Sequence, residues 1–277
     1  MLMPHMTEME LPKMAAVVKS PRIIAVANQK GGVGKTTTAV NLATALAANE
    51  MRVLLIDIDS QGNASTGLDI DKHDEKQTVY ELLIDNGSVM DAVVKTMVPR
   101  LDVVPASVHL AGAELELLDA NSREFRLARA LGEISDEYDY VLIDCPPALG
   151  LLTLNALCAA HSVLVPLQCE FYALEGLSHL VRTIERVRQS FNPDLEIQGV
   201  VLTMFDRRNN LSDLVAADVR EHFGDKVYKT VIPRNVRISE APSHGKPVLL
   251  YDWRCSGSRA YIHLAGEILK RERELAV

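Results

Sequence analysis

A mainly parallel, twisted α/β sheet with helices on both faces is the architecture that three features of this 277-residue chain predict. Apolar runs of about four to eight residues recur along it, most of them separated by segments with helical periodicity, the rhythm of βαβ units. The runs are continuous rather than alternating, Ile23-Ile24-Ala25-Val26-Ala27 being the first, as expected of strands covered on both faces. Hydrophobic residues make up 48% and aromatics only 5%, so the core is expected to be Val, Ile, Leu and Ala, and the length suffices for one large core. One domain over residues 22–277 is expected. The stretch 1–21 reads as a flexible N-terminal extension, because Met1 to Ser20 shows neither period and is followed by Pro21.

Composition excludes several classes. No apolar run approaches the roughly 20 residues of a membrane span. The first 20 residues lack a continuous apolar segment and contain Glu8, Glu10 and Lys13, so no secretory leader is expected and the reading is cytoplasmic. Cys145, Cys158, Cys169 and Cys255 form no C-x-x-C pair, which fits reduced thiols rather than a metal cluster. The net charge of -8 argues against bulk attraction to nucleic acid. The charge is uneven, however: residues 200–277 hold 13 Lys and Arg against 10 Asp and Glu, so any nucleic-acid surface is expected in that third.

In chain order, the strand over 23–27 leads into a glycine-rich loop and an alanine-rich helix over 38–48. A buried strand over 52–59 ends in the carboxylates Asp57 and Asp59, before the polar loop 60–65 with its hinge-like Gly62. Residues 69–100 are more polar, with a solvated run over 69–76, a helical stretch over 79–84 and a turn at Asn86-Gly87. A strand over 101–105 and a helical region over 114–133 follow. Next comes Tyr140-Val141-Leu142-Ile143-Asp144, after which Pro146-Pro147 forces the backbone out of the sheet. The remainder alternates strand 163–167, helix 174–190, strand 198–204, helix 213–223, strand 227–232 and a last helix over 258–274.

Two sites carry chemistry. In Lys30-Gly31-Gly32-Val33-Gly34-Lys35-Thr36-Thr37, glycines let backbone N–H groups approach a phosphate without a Cβ in the way, and the helix that follows adds positive charge at its N-terminus. Lys35 is placed to reach the β- and γ-phosphates and Thr36 to coordinate Mg²⁺. The bland alternative, a glycine turn with a capping Thr, has no use for a lysine at this spacing. Gln29 stands where a first glycine is usual, followed by an additional lysine, Lys30. The second site is Asp144, at the end of an apolar strand, where a Walker B carboxylate holds the magnesium shell, often through water. The ligand edge of a parallel sheet would then collect Lys35, Asp59 and Asp144, making the chain a single-domain P-loop NTPase.

With those sites in place the chain resembles the ParA/Soj-type partition ATPases of the ParA/MinD deviant-Walker family, from Arg22 to the C-terminus. The resemblance rests on residues 28–37, on Asp57-Ile58-Asp59-Ser60-Gln61-Gly62-Asn63, on Asp144-Cys145-Pro146-Pro147, on residues 168–176 and on residues 233–247. It implies ATP and Mg²⁺ as cofactors, with nucleotide contacts from Lys30, Gly31, Gly32, Val33, Gly34, Lys35, Thr36, Thr37 and Pro233. It also implies an ATP-dependent homodimer in which Lys30 reaches the partner's nucleotide, making Lys30, Lys35 and Asp59 the catalytic set. Asp59 would position the attacking water, while Thr36, Asp57 and Asp144 hold the metal, the aspartates through water. Ser60 replaces the more usual Pro. The family further implies slow hydrolysis stimulated by a ParB-type centromere-binding protein. It implies sequence-independent binding of double-stranded DNA through Arg208, Arg237, Lys246 and Arg254, and hence a nucleoid-associated, cytoplasmic protein with no membrane contact. A MinD-like membrane-cycling ATPase is the alternative, resting on a possible apolar stripe of Ile262, Leu264, Ile268 and Leu269, and a nucleotide-gated scaffold without catalysis is a third.

Overall fold

Residues 20–71, 77–134 and 136–275 are described in the computed structural model; the expected extension, apart from its last two residues, and most of the 69–76 run lie outside them. The chain begins with β1 (Arg22–Val26), α1 (Lys35–Ala48), β2 (Val53–Asp57) and a single turn, α2 (Asn63–Thr66). Next come α3 (Val79–Ile84), α4 (Val89–Ala92), β3 (Val94–Lys95), β4 (Leu101–Val104), α5 (Leu110–Glu116) and α6 (Arg126–Leu131). The second half is β5 (Tyr140–Asp144), α7 (Leu151–Ala159), β6 (Ser162–Gln168), α8 (Ala173–Ser190), β7 (Glu196–Phe205), α9 (Asn210–Phe223) and β8 (Val227–Pro233). Two short helices, α10 (Val236–Glu240) and α11 (Val248–Tyr251), precede the 20-residue α12 (Ser256–Leu275).

The strands form one sheet in the order β3-β4-β2-β5-β1-β6-β7-β8. Every pairing is parallel except β3 with β4, a two-residue antiparallel edge. Successive strand side chains point to opposite faces, so each strand feeds two cores. Ile23, Ala25, Leu54 and Ile56 join α3 and α5 to α9 on one face, whereas Ile24, Val26, Val53 and Leu55 join α1 and α12 on the other. That double burial is why the strand sequences read as unbroken apolar runs.

Four expectations need correction. The 114–133 region is not one helix: α5 stops at Glu116, Ser122 is left-handed at φ 51°, and a 3-10 turn over Arg123–Phe125 precedes α6. The break is held by Asn155, whose Nδ2 donates to Arg123 O at 2.9 Å while its Oδ1 accepts from Leu127 N at 3.2 Å. Helix α7 had no counterpart in the sequence reading, because a segment buried on several sides carries no amphipathic period. The loop helix starts at Lys35 rather than 38, which brings Lys35, Thr36 and Thr37 into its first turn. Asp59 lies beyond the end of β2, in the loop.

The stripe on α12 is a core face. Leu264 and Ile268 are fully buried, Leu269 packs on the same cluster, and only Ile262 is exposed. With its apolar face spent on the sheet, the helix has no second one for a bilayer surface, and among the described residues no helix is long and apolar enough to cross a membrane.

Candidate active site

The loop between β1 and α1 is pinned at both ends. Asn28 Nδ2 donates to Pro166 O at 2.8 Å and its Oδ1 accepts Lys30 N–H at 3.1 Å. Farther along, Thr203 Oγ1 donates to Val33 O at 2.8 Å, tying the loop to β7. Gly32 and Gly34 take φ of 74° and 87°, conformations in which a Cβ is strained. A Cβ on Gly31 or Gly32 would meet no protein atom within 4 Å, for both glycines lie on the exposed side of the loop. Lys35 is buried, and its Nζ donates to Lys30 O at 3.0 Å, folding the ammonium across the loop. Burial lowers its pKa, opposed by the charges of Asp144 and Asp59.

Parallel pairing sets Asp57 directly beside Asp144. At the roughly 4.8 Å spacing of neighbouring strands, two buried carboxylates repel. Asp57 is relieved by donors: Ser65 N–H and Oγ–H both reach Oδ2 at 2.8 Å, and Asp59 N–H reaches Oδ1 at 3.3 Å. Burial still holds it up at about 6. Asp144 has less relief: among the described residues neither of its buried oxygens has a partner at hydrogen-bond geometry, and only the Thr36 hydroxyl and Lys35 lie close enough to lower its pKa. Burial first and the Asp57 charge second raise it well above the carboxylate range, with Thr36 and Lys35 opposing from nearby. A carboxylate left like this beside a hydroxyl fits a hard cation that takes oxygen ligands. Among the described residues no group of three His, Cys, Asp or Glu forms a metal cage. Magnesium needs none, since one or two carboxylates, waters and the substrate's own phosphates complete its shell. Thr36, Asp57 and Asp144 therefore fit Mg²⁺. Asp59 is nearly buried, with Oδ1 fixed by Gln61 N–H at 3.0 Å.

Lys30, exposed at the mouth of the loop, forms an ion pair with Glu170 at the end of β6. Phe171 and Tyr172 follow, packed edge to face at 5.1 Å and 77% and 63% exposed. Pro233 ends β8 and lines a cavity of about 230 Å³ with Gly34, Thr37, Met204 and Asn235, beside the first turn of α1. The expected nucleotide and metal residues thus surround one edge of the sheet. Ser65, Thr203 and Glu170 complete this edge, and sequence reasoning gave them no role. Nothing in their spacing marks them, since each acts through a partner from a different strand.

The four expected DNA residues are less united. Arg208 is locked onto Asp206 in the β7–α9 turn, at 3.0 and 2.8 Å. Arg237 on α10 pairs with Glu240 at 2.9 Å and reaches Asp252 at 3.5 Å. Arg254 stacks at 4.9 Å over exposed Trp253, close to Arg237 through their shared neighbour Asp252, and Lys246 lies exposed on the turn before α11.

Residues 21–197 match a family model described as an AAA domain. The chromosome partitioning protein ParA of Caulobacter vibrioides is 64% identical over 255 residues, covering 91% of this chain and 96% of that protein. The sporulation initiation inhibitor protein Soj of Bacillus subtilis is 58% identical over 247 residues, covering 89% and 98%. Among solved structures, a Mycobacterium smegmatis protein named cobyrinic acid a,c-diamide synthase, with bound ATP analog and magnesium, superposes with a TM-score of 0.80 at 39% identity, covering 91% of this chain and 96% of that one.

Proposed function

Because this chain belongs to the ParA/Soj chromosome-partitioning family, we propose that it is an ATP-dependent partition ATPase that works as a nucleotide-gated homodimer on DNA. ATP and Mg²⁺ are its cofactors, and it hydrolyses ATP to ADP and phosphate. The observation that carries the reading is Asp144, a fully buried carboxylate close to Thr36 and Lys35 whose two oxygens have no hydrogen-bond partner among the described residues.

Each residue's task follows from its position. The backbone N–H groups of Gly31 to Thr37 cradle the phosphates, and Lys35 swings from the Lys30 carbonyl onto the β- and γ-phosphates. Thr36, Asp57 and Asp144 would hold Mg²⁺, which when bound would offset the charge that these carboxylates and the phosphates concentrate there. Asp59, oriented by Gln61 N–H, positions the attacking water with its other oxygen. Pro233 borders the space beside the α1 N-terminus where the rest of the nucleotide extends.

Lys30 leaves Glu170 and reaches the nucleotide of a second copy, stabilising charge on the transferred phosphoryl group as an arginine finger does. Dimerisation then depends on ATP. The dimer presents two copies of Arg208, Arg237, Lys246 and Arg254 to one duplex, and they hold double-stranded DNA without base preference once its phosphates compete with Asp206, Glu240 and Asp252 for Arg208 and Arg237. A ParB-type centromere-binding partner stimulates hydrolysis and releases the dimer, which places the protein in the cytoplasm on the nucleoid.

Phosphate release and DNA co-sedimentation with ADP, ATP and no nucleotide test this reading. Asp59→Ala should retain ATP, stay dimeric and stay on DNA longer than wild type. DNA binding indifferent to nucleotide would sink the switch.

A further inference from the structure

An apolar groove of about 540 Å³, outside the nucleotide site, runs along α7 between the end of α5 with the turn after it and the second half of α8. Its walls are Leu115, Leu118, Leu149, Leu154, Leu157 and Phe191. Leu115 and Leu118 are 72% and 57% exposed, and Leu149 and Phe191 are exposed beside them. Apolar side chains scattered singly over a surface need no partner, but a contiguous set lining a concave face marks a binding surface.

Most polar groups of this groove are already spent. Glu114 Oε1 accepts Leu152 N–H at 3.3 Å and so caps the start of α7. Arg123 and Glu124 pair with each other at 3.4 Å. Thr153 Oγ1 donates to Ala148 O at 2.6 Å and Thr183 Oγ1 to His179 O at 3.2 Å. A polar small molecule would find few convergent groups to orient it. Arg186 is the exception: among the described residues no carboxylate stands within ion-pair distance of it. The chemistry left open is therefore a run of apolar side chains carrying a negative charge for one guanidinium.

We propose that the occupant is the chain's own residues 1–19, with methionines in the groove and Glu8 or Glu10 on Arg186. Five of the nine methionines of the protein, Met1, Met3, Met6, Met9 and Met14, fall in this stretch, and Glu8 and Glu10 flank one of them. Methionine is unbranched and polarisable, and it fills irregular apolar surfaces such as a row of leucines. The point of departure fits. Ile23 exchanges hydrogen bonds with His161, whose N–H donates to Ile23 O at 2.9 Å and whose Nδ1 accepts Ile23 N–H at 2.9 Å. Next to His161, Asn192 Nδ2 donates to Ala160 O at 2.8 Å and to Leu157 O at 2.9 Å, and Phe191 beside Asn192 forms the foot of the groove. The stretch before Ser20 thus leaves the sheet close to that foot. Its 19 residues reach up to roughly 60 Å when extended, and the nine residues of α7 are only about 14 Å long.

The test reads the accessibility of one thiol at the lip. Ser190, exposed on the groove, is changed by Ser190→Cys in the full-length chain, with Cys255→Ser removing the one native cysteine that is not buried. Alkylation rates are measured without nucleotide for this parent and for the same chain with Met3→Ser, Met6→Ser and Met9→Ser. A segment docked about nine-tenths of the time leaves the thiol open for about one-tenth, so the methionine variant should react about tenfold faster. Leu115→Asp with Leu118→Asp should give the same faster rate, and combining both sets should add nothing, because one contact cannot be removed twice. Equal rates in parent and methionine variant overturn the proposal and leave the groove to another protein. Protection that grows with protein concentration overturns it in favour of a second copy, and full additivity of the two sets shows that the methionines act elsewhere.

Discussion

Ser65→Ala tests whether the loop after β2 is fastened to the proposed metal site. Ser65 Oγ donates to Asp57 Oδ2 at 2.8 Å and accepts from Ala106 N–H at 3.1 Å, so one hydroxyl links the loop after β2, the buried carboxylate and the chain after β4. Truncation removes a bond to an ionised group, about 1.5–3 kcal/mol, and strands a buried amide, about 1–3 kcal/mol. The Ser65 N–H bond to the same carboxylate remains and limits collapse. The expected loss is therefore about 3 kcal/mol, or roughly 6–12 °C in Tm for a domain of this size. Urea unfolding at pH 8, where Asp57 is ionised, measures it, with an unchanged m-value showing that only stability moved. Magnesium-dependent nucleotide affinity should weaken in parallel, because the carboxylate is less firmly aimed. A loss below about 1 kcal/mol refutes the reasoning, for it would mean that water replaces the hydroxyl on both partners.

Two further outcomes follow from the same site. Glu170→Gln frees Lys30 from its cis partner; a half-exposed pair is worth at most about 1 kcal/mol, so ATP-dependent dimerisation measured by sedimentation velocity should tighten by up to about fivefold, and weaker dimerisation would show that Glu170 serves the partner instead. Asp57 has a folded pKa raised to about 6 from 3.8, so its stabilising contribution is fully present below about 3.8 and lost as pH rises through about 6. The stability of the nucleotide-free wild type relative to Asp57→Asn should accordingly increase between pH 7 and pH 5, and saturating Mg²⁺ with a non-hydrolysable ATP analog should flatten that trend; urea midpoints across this range decide it.

Much of this molecule was legible in one dimension. Strands buried on both faces must be apolar without interruption, so β1, β2, β5 and β6 announced themselves. The phosphate loop is a local device, built from a few consecutive residues whose glycines and lysine have chemical reasons for their spacing. Boundaries fared worse where the period was hidden. Helix α7 shows apolar residues on several sides, and the 114–133 region reads as helical until Asn155, from α7, is seen holding the break open.

Residue types along the chain thus determined the layered architecture, the nucleotide edge and the candidate ligands Lys35, Thr36 and Asp144, because those depend on periodicity and on contiguous loops. Pairing across strands decided the rest. Asp57 and Asp144 are 87 positions apart, yet the sheet sets them side by side and makes one of them a buried carboxylate without a hydrogen-bond partner among the described residues. The same holds for charge: Arg208 and Arg237 look free in the sequence and are bound to neighbouring acids, whereas Arg207, Lys229 and Arg259 gather around one groove only after β7, β8 and α12 pack together. Electrostatic energy depends on distance in space and on what else shares the field, and neither is written along the chain.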